Sequence, residues 1–398
     1  MSGVIITSSE YRTALVACRC LGKHGVKVAC GGEKEAKFAF FPPAFYSKYC
    51  SKRFVYPSYR DDTDGFVEAI IDFANKNKEY EVLMPIDAET SVISKYKEMI
   101  EVKAPHLRVP VHEYKYIDIA NNKRKMMELA NDLGIPIPKT HTPSSLKEVE
   151  VIAAEIEYPA VIKLPSAKGS KGFVITYSKD ELLQKYGNTF SKYCFPTYSE
   201  APLVQEYIPG TGYGVSCLFN RGELRAKFTH RRIRELPITG GPSVVRISAS
   251  HPEMEEYAIK LLKSLNWHGV VMVEFRLDER DNQPKLMEVN PRFWGSLHQA
   301  ISAGVEFPYL LYQMVLNGDV DPVTNYKIGV KARFMWGDMQ AFPEHLLASN
   351  SKVKFLKDFF NFKNETYDDL SFEDPLPAVV QVLNPVVRLL RTGHIGWE

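Results

Sequence analysis

The chain has 398 residues, which at about 150 residues per domain predicts two or three domains. Its composition, 45% hydrophobic and 25% charged, is that of a globular protein and excludes a disordered or fibrous class. The formal net charge of +2 gives no general attraction to nucleic acid or to anionic membranes, so neither is expected as a partner.

The spacing of the cysteines and the length of the apolar runs indicate the cellular location of the protein. The six cysteines form no C-x-x-C pair and lack zinc-type spacing, which favours reduced structural thiols. The N-terminus has no basic stretch followed by an apolar one, and no window approaches about 18 consecutive apolar residues. We therefore expect no membrane span and a location in the cytoplasm.

Strands and helices alternate over the first hundred residues. The predicted elements are a strand over 4–7, a helix over 10–23, a strand over 26–30, a helix over 64–77, a strand over 81–85 and a helix over 88–100. This alternation is typical of a parallel α/β sheet. No glycine follows the first strand, where a backbone would approach a pyrophosphate, so a dinucleotide-binding domain is set aside.

A second unit begins with a charged helix. That helix opens near residue 121 and ends near residue 134, where an Ile-Pro-Ile-Pro run forces an extended chain. A helix near 146–156 then leads into a strand over 160–164, which carries Lys163.

The segment 165–172 is rich in glycine and lysine, and a strand over 173–176 follows it. A Walker A loop is followed by a helix, so this segment predicts a flexible hairpin flap instead. Backbone N–H groups in such a flap can pack against a polyphosphate, with charge from Lys163, Lys168 and Lys171. An ordinary mobile hairpin tip is the alternative.

A predicted strand over 202–208 runs into Pro209. A strand that ends in this way can leave its last peptide groups unpaired and free to hydrogen-bond an adenine edge. The candidate residues are Gln205, Glu206, Tyr207 and Ile208.

An arginine cluster lies at the end of a strand predicted over 224–232. Strand alternation places Arg232 and Arg234 on one face, just before a glycine-rich loop over 237–243. Such a cluster is usually a solvated surface, but beside a glycine-rich lid it could bind an anionic substrate.

Residues 270–292 predict a β-hairpin, since two β-branched, apolar-rich runs flank a polar turn. The antiparallel register sets Glu274 directly opposite Glu288 and places Asn290 on the same face as Glu288. Opposed carboxylates repel each other, so we expect a cation between them. These oxygen ligands suit Mg²⁺, which implies nucleotide phosphates, and Arg292 could bind a phosphate oxygen. A solvated acidic hairpin is the alternative.

The pattern weakens past residue 321. A strand is predicted over 331–336, and amphipathic pieces broken by proline are predicted over 376–391. The role of this region is left open.

The order of these parts resembles the ATP-grasp superfamily of ligases, and is most similar to the nucleotide domains of carbamoyl-phosphate synthetase large chains and to related carboxylate–amine ligases. The resemblance covers about residues 1–320. It implies a fold of the α/β and α+β classes, with an N-terminal parallel α/β pre-ATP-grasp domain followed by a two-subdomain ATP-grasp fold. The implied divisions are 1–115 for the first domain, 116–208 for the lid subdomain, 209–320 for the metal-binding subdomain and 321–398 for a C-terminal extension.

The resemblance also implies roles for single residues. ATP phosphates would contact Lys123, Lys163, Ser166, Lys168, Gly169 and Ser170, and the adenine would lie against Gln205, Glu206, Tyr207 and Ile208. Mg²⁺, or Mn²⁺ in its place, would be bound by Glu274, Glu288 and Asn290, and Arg292 would steady the acyl phosphate. Arg232 and Arg234 are further candidate catalytic residues because of their position beside the glycine-rich loop. Many relatives place an acidic residue near Gly212 to hold the ribose. This chain has Gly-Tyr-Gly there, so the ribose contact is left open, with Glu206 as a candidate.

The implied activity is that of an ADP-forming carboxylate–amine ligase, which activates a carboxylate as an acyl phosphate for attack by an amine. Expected partners are small-molecule carboxylates and amines, amino acids among them, and a homodimer is one option for the assembly. One alternative is phosphorylation of bicarbonate or carbamate, as in carbamoyl-phosphate synthetase. A second alternative is an ATP-binding regulatory module without turnover.

Overall fold

Three β-sheets organise the chain in the computed structural model, which describes residues 2–34, 41–166, 172–193, 195 and 200–392. The first sheet is parallel, and the second and third are mainly antiparallel. The predicted fold class, a parallel α/β domain followed by a two-sheet α+β region, is confirmed.

The N-terminal sheet has four parallel strands in the order β3-β2-β1-β4. The elements of this part are β1 (Gly3–Ile6), α1 (Arg12–Lys23), β2 (Val28–Glu33), β3 (Cys50–Tyr56), α2 (Thr63–Lys76), β4 (Tyr80–Met84), α3 (Thr90–Lys95), α4 (Lys97–Lys103) and α5 (Tyr114–Asn121). Val4, Ile5 and Ile6 are fully buried, as a strand covered on both faces requires.

The N-terminal prediction was wrong in two places. Strand β3 was not predicted, because it lies at the sheet edge and its Ser51, Lys52 and Arg53 are exposed, so it carries no apolar run. The helix predicted over 88–100 is two short helices, α3 and α4, which meet at Tyr96.

The middle sheet has the strand order β5-β8-β6-β7. Its part of the chain contains α6 (Lys123–Asp132), β5 (Thr140–His141), α7 (Leu146–Glu155), β6 (Ala160–Lys163), β7 (Val174–Thr176), α8 (Lys179–Tyr193) and β8 (Leu203–Glu206). Helix α6 begins where it does because the side chain of Asn122 accepts hydrogen bonds from the backbone N–H groups of Arg124 and Lys125. The antiparallel pairing of β6 with β7 confirms the hairpin on either side of the glycine-rich segment.

The large sheet has seven strands in the order β13-β12-β9-β10-β11-β14-β15. Its part of the chain contains β9 (Gly210–Asn220), β10 (Glu223–Glu235), β11 (Ser243–Ser248), α9 (Pro252–Ser264), β12 (Gly269–Asp278), β13 (Pro284–Asn290), α10 (Leu297–Ser302), α11 (Phe307–Asn317), β14 (Lys331–Arg333), α12 (Met335–Ala348), α13 (Lys352–Phe359), β15 (Glu365–Tyr367) and α14 (Leu376–Thr392). The face toward α5, α6 and α9 is apolar and packs around the buried Trp267.

The C-terminal region joins the large sheet. Strands β14 and β15 extend that sheet beyond β11, so strands on both sides of the proposed boundary at residue 320 belong to one sheet. The prediction of proline-broken pieces near the C-terminus was wrong, because α14 runs continuously through Pro385. Two hydrogen bonds between the Asn384 side chain and the backbone of Phe41 hold this helix in place despite the lost backbone donor. In the described ranges no helix is both long enough and apolar enough to cross a membrane.

Candidate active site

A cavity of about 230 Å³ opens between the large sheet, the middle sheet and the start of α1. Side chains from all three sheet regions line it. They include Arg12, Lys123, Lys163, Phe173, His230, Arg232, Glu235, Arg276, Glu274, Glu288, Asn290 and Arg292. Seven of the predicted site residues therefore meet at one place, although they come from distant parts of the chain.

The predicted register of the acidic hairpin is confirmed. Glu274 on β12 lies opposite Glu288 on β13. The Nδ2 atom of Asn290 donates to Oε1 of Glu274 at 3.1 Å and to Oε1 of Glu288 at 3.2 Å. The two carboxylates and the amide thus form one compact group on the cavity wall.

The two carboxyl groups differ in their affinity for a proton. Burial raises the pKa of Glu274, and repulsion from Glu288 adds to this rise although Arg232 opposes it. Burial also acts to raise the pKa of Glu288, but Lys123, Asn290 and Lys163 outweigh it and lower that pKa. Glu274 therefore holds a proton more readily than Glu288, and a cation bound nearby would favour the ionised form of both carboxyl groups.

This group fits a hard divalent cation. Mg²⁺ typically binds through one or two carboxylates and fills its remaining positions with water and phosphate oxygens. Among the described residues no cluster contains three or more His, Cys, Asp or Glu side chains, so two carboxylates and one amide oxygen are the donor set on offer. The Asn290 Oδ1 atom accepts from Nη2 of Arg292 at 3.1 Å, so the amide would turn to present its oxygen to an ion.

Two lysines face the acidic pair from the middle sheet region. Lys123 starts α6 and places its Nζ atom 3.3 Å from Oε2 of Glu288. Lys163 ends β6, where its buried Nζ donates to Oε1 of Gln205 at 2.7 Å. Burial lowers the pKa of Lys163 to about 8, and the charge of Lys123 adds to that effect. The two ammonium groups are thus placed to meet an anion.

Arg232 reaches the acidic pair from two strands away. Its side chain crosses β9 and forms ion pairs with Glu274 on β12 and with Glu235, the latter at 3.0 Å. Strand β9 offers only Gly212 and Gly214 beneath Arg232 and His230. The Gly-Tyr-Gly sequence therefore has a steric role, because a side chain at either glycine would collide with these residues.

The prediction that Arg232 and Arg234 share a face was wrong. A β-bulge between them shifts the pairing of β10 with β11, so the strict alternation fails at this point. Arg234 does not line the cavity, and it bonds instead to Asp338 at 2.7 and 2.8 Å and to Asp358 at 2.6 Å. Its contacts are those of a residue that holds α12 and α13 to the sheet.

Arg292 links the hairpin to the N-terminal sheet. Its Nη2 atom donates to Asn290, while its Nη1 atom lies 3.3 Å from Oδ1 of Asp87, just beyond β4. The predicted position past the strand end is thus inside the cavity. The partner Asp87 was not predicted.

The candidate adenine residues lie at the edge of the cavity and do not line it. The expectation of unpaired peptide groups was wrong for Glu206 and Tyr207, whose N–H groups donate to the backbone of Lys139 and Pro159. For the N–H of Ile208 no backbone acceptor is present in the described part of the chain. Gln205 holds Lys163 through its side chain.

Glu206, the candidate for the ribose contact, already has protein partners. Its Oε1 atom accepts from the backbone N–H of Lys139 at 2.8 Å, and its Oε2 atom pairs with Arg280 at 3.1 Å. Of the candidate flap residues, Ser166 is exposed at the end of the described segment. Lys168, Gly169 and Ser170 lie outside the described residues.

His230, Arg12 and Arg276 are among the lining residues that the sequence analysis did not propose. Strand alternation from Arg232 could have found His230 on the same face. Burial lowers the pKa of His230 well below its usual range, so this imidazole is neutral. No local sequence pattern could have predicted Arg12 and Arg276, because they line the cavity only through the packing of distant segments.

Two known protein families match parts of this chain. A family described as "Carbamoyl-phosphate synthase L chain, ATP binding domain" matches residues 122–210. A family described as "ATP-grasp in the biosynthetic pathway with Ter operon" matches residues 199–335. The carbamoyl phosphate synthase large chain of Pyrococcus furiosus is 26% identical over 228 residues, which are 55% of this chain and 20% of that protein. The chain therefore spans about a fifth of the length of this curated relative.

Two solved structures share the fold at low sequence identity. The biotin carboxylase domain of the 2-oxoglutarate carboxylase of Hydrogenobacter thermophilus, solved with MgADP, ADP and bicarbonate, has a TM-score of 0.67 at 17% identity over 83% of this chain and 73% of that chain. An L-amino acid ligase from Bacillus licheniformis has a TM-score of 0.58 at 16% identity over 79% of this chain and 74% of that chain. The two family matches together span residues 122–335, so this part of the chain belongs to the ATP-grasp superfamily.

Proposed function

We propose that this protein is an ADP-forming ligase that uses ATP and Mg²⁺ to activate a carboxylate as an acyl phosphate and joins the acyl group to an amine. The observation that carries this proposal is the pair of opposed carboxylates, Glu274 and Glu288, bridged by Asn290 and surrounded by cationic side chains. A solvated acidic hairpin does not explain why these carboxylates are enclosed by Lys123 and Arg232.

The nucleotide would lie between the middle and large sheets. Lys123 and Lys163 would neutralise its phosphates, and the segment around 166–170 would cover them. Gln205 fixes Lys163 by a hydrogen bond, and the peptide N–H of Ile208 is the group best placed to read an adenine edge. The divalent ion, held by Glu274, Glu288 and Asn290, would supply charge neutralisation during phosphoryl transfer.

The activated carboxylate would lie near Arg292 and Arg232. A guanidinium binds carboxylate or phosphate oxygens through two parallel N–H groups, which fixes orientation as well as charge. Arg292 is held by Asp87 and Asn290, so its side chain is oriented before a substrate arrives. Such prior orientation favours in-line transfer, in which positioning and charge stabilisation supply most of the rate enhancement.

The identity of the carboxylate is the second part of the proposal. The fold shared with an L-amino acid ligase supports amino acids as substrates. The carbamoyl phosphate synthase relative and the biotin carboxylase solved with bicarbonate support bicarbonate as an alternative carboxylate. The complete set of Glu274, Glu288, Asn290 and Arg292 argues against a regulatory module without turnover. The assembly is left open, with a homodimer as one option.

The test is a screen for ADP release. Purified protein with ATP and Mg²⁺ is supplied with amino acids, small carboxylates and bicarbonate, singly and in pairs, and ADP is measured. We expect one carboxylate–amine pair to raise ADP release at least tenfold over ATP alone, and chelation of Mg²⁺ to abolish it. ADP release that no carboxylate or bicarbonate stimulates would contradict the proposal.

A further inference from the structure

Arg12 is a cation in the cavity that the proposed reaction does not yet use. It is the first residue of α1, and it reaches 283 positions along the chain to donate from Nε to the carbonyl oxygen of Gly295 at 3.3 Å. It lines the cavity, and 17% of its side-chain surface is accessible there. The N-terminal domain thus places a guanidinium at the wall of the site.

The guanidinium of Arg12 is held in position, but its charge is poorly matched. It stacks on the ring of Phe334 at 4.0 Å, and a side-chain carbon built on Gly295 would stand 2.9 Å from its Nη2 atom. Within the described part of the chain neither terminal nitrogen has a hydrogen-bond partner. These two nitrogens are therefore free to donate to an acceptor that enters the cavity.

Asp368 pairs with a second arginine as well as with Arg12, so it does not fully neutralise the charge of Arg12. Its Oδ2 atom lies 3.6 Å from Nε of Arg12, beyond hydrogen-bond distance. Its other oxygen pairs closely with Arg246, which is fully buried. Asp368 is therefore shared between two guanidinium groups, with Arg12 the more distant of the two, and the charge of the neighbouring Asp369 also acts on Arg12.

Arg12 lies at the opposite end of the cavity from the proposed nucleotide phosphates. Lys123 contacts Glu288 on the outer strand β13, whereas Arg12 contacts Phe334 and Asp368, beyond β14 and β15 at the other side of the same sheet. The strands between them carry Glu274 and Arg232. An anion at Arg12 is thus separated from one at Lys123 by the reacting centre.

The charges on the cavity wall leave room for a second anion. Six cationic side chains but only three carboxylates line the cavity among the described residues, and His230 is neutral. A nucleoside triphosphate with one divalent ion keeps a net charge of about −2, and Lys123 and Lys163 lie at its end of the cavity. Positive charge is thus left over for a second anion, and Arg12 carries part of it.

We propose, on the basis of the function proposed above, that Arg12 binds a carboxylate that is not activated in the reaction. One of the substrates would then carry a carboxylate that does not react, and the two terminal nitrogens of Arg12 would bind it. This carboxylate can belong to the amine, which would make the amine an amino acid, or to a dicarboxylic acyl substrate. Arg12 is a specificity residue in either case.

A structural role for Arg12, as a link to the C-terminal region, is the competing explanation. The chain offers a matched control on the same helix. Arg19 is buried and also pairs with a C-terminal aspartate, Asp374, at 2.8 Å, but it does not line the cavity. A purely structural arginine should behave like Arg19 when it is replaced.

The experiment measures selectivity between acids and their amides. ADP release is assayed with amino acids against the matching amino acid amides, and with dicarboxylates against their half-amides. Wild type, Arg12→Gln, Arg12→Lys and Arg19→Gln are compared, and the nucleotide Kd is measured for each. If the Arg12→Gln protein does not fold, the Gly295→Ala variant is assayed in its place. The methyl group added at Gly295 displaces the guanidinium of Arg12.

We expect wild type to prefer the acid over its amide at least tenfold in kcat/KM, in the amino acid arm or in the dicarboxylate arm. Arg12→Gln should reduce that preference to about twofold or less with little change in nucleotide Kd, and Arg19→Gln should retain it. Equal use of acid and amide by wild type, or an unchanged preference in Arg12→Gln, overturns the proposal.

The two proposals fail in distinguishable ways. If no pair of substrates releases ADP, the proposed ligase function fails. Calorimetric binding of the same amino acids and dicarboxylates, with ADP and Mg²⁺ present, then decides the role of Arg12. Binding that Arg12→Gln abolishes and Arg19→Gln retains supports the carboxylate site, and no binding to wild type overturns it.

Discussion

Arg232 passes directly over Gly212, and a side-chain carbon built on Gly212 would stand 2.9 Å from Cδ of Arg232. The bare backbone of β9 at this point allows a side chain of β10 to reach Glu274 on β12. Many relatives have an acidic residue near Gly212. In this chain the glycine has a different role, because it lets a guanidinium and a carboxylate meet across an intervening strand.

The first prediction concerns this glycine. Gly212→Val should lower kcat/KM at least tenfold, because the isopropyl group displaces Arg232 from Glu274. The matched control is Gly187→Ala on α8, where an added carbon meets nothing within 4 Å. Steady-state ADP release measures both variants, and equal activity in the two would show that the position of Arg232 is unimportant.

The second prediction concerns the acidic pair. Glu288→Gln should reduce ATP-dependent turnover by about 10²-fold or more while the protein stays folded, because the change removes a charged oxygen ligand from the phosphate-binding ion. Glu279→Gln in the exposed turn of the same hairpin is the control and should be neutral. Near-normal turnover of Glu288→Gln at saturating Mg²⁺ would remove Glu288 from the metal site.

The third prediction separates two neighbouring arginines. Arg232→Lys should lower kcat/KM with little change in unfolding temperature, because an ammonium cannot hold two carboxylates in the fork geometry. Arg234→Met should instead destabilise the fold by about 3–5 kcal/mol, because it leaves the buried Asp338 without this partner. Turnover and thermal unfolding of both variants check this, and the reverse pattern would return Arg234 to the catalytic set.

The fourth prediction follows from the pKa of Lys163, which burial lowers to about 8 in the folded protein. An unfolded lysine binds its proton up to about pH 10.4, so burial of this charge costs stability at pH 7 and the cost is relieved as pH rises through 8. Lys163→Met should therefore be more stable than wild type at pH 7 without nucleotide, and the difference should shrink toward pH 10.

Chemical denaturation at pH 7, 8.5 and 10 measures this difference. Lys147→Met is the control, since Lys147 is exposed on α7 and its removal should give no such trend. The gain in stability should be accompanied by weaker nucleotide binding, measured as a higher Kd. A Lys163→Met protein less stable than wild type at every pH would mean that the bond to Gln205 outweighs burial of the charge.

What the sequence by itself determined was local. Glu274, Glu288 and Asn290 could be placed together because one short turn fixes the register of a hairpin, and the period of two then assigns each side chain to a face. The alternation of strands and helices likewise predicted the parallel sheet. These features depend on residues that are close together in the chain, so a local sequence pattern is enough to predict them.

What only the tertiary structure decided depends on contacts between distant segments. The bulge that turns Arg234 away from Arg232 breaks the period of two, and it lies where β10 pairs with β11, a strand further along the chain. Asp87 meets Arg292, and Arg12 meets Gly295, because the N-terminal sheet packs against the large sheet. No local pattern encodes such pairs, since their proximity is a property of how whole sheets pack and not of the residues on either side of them.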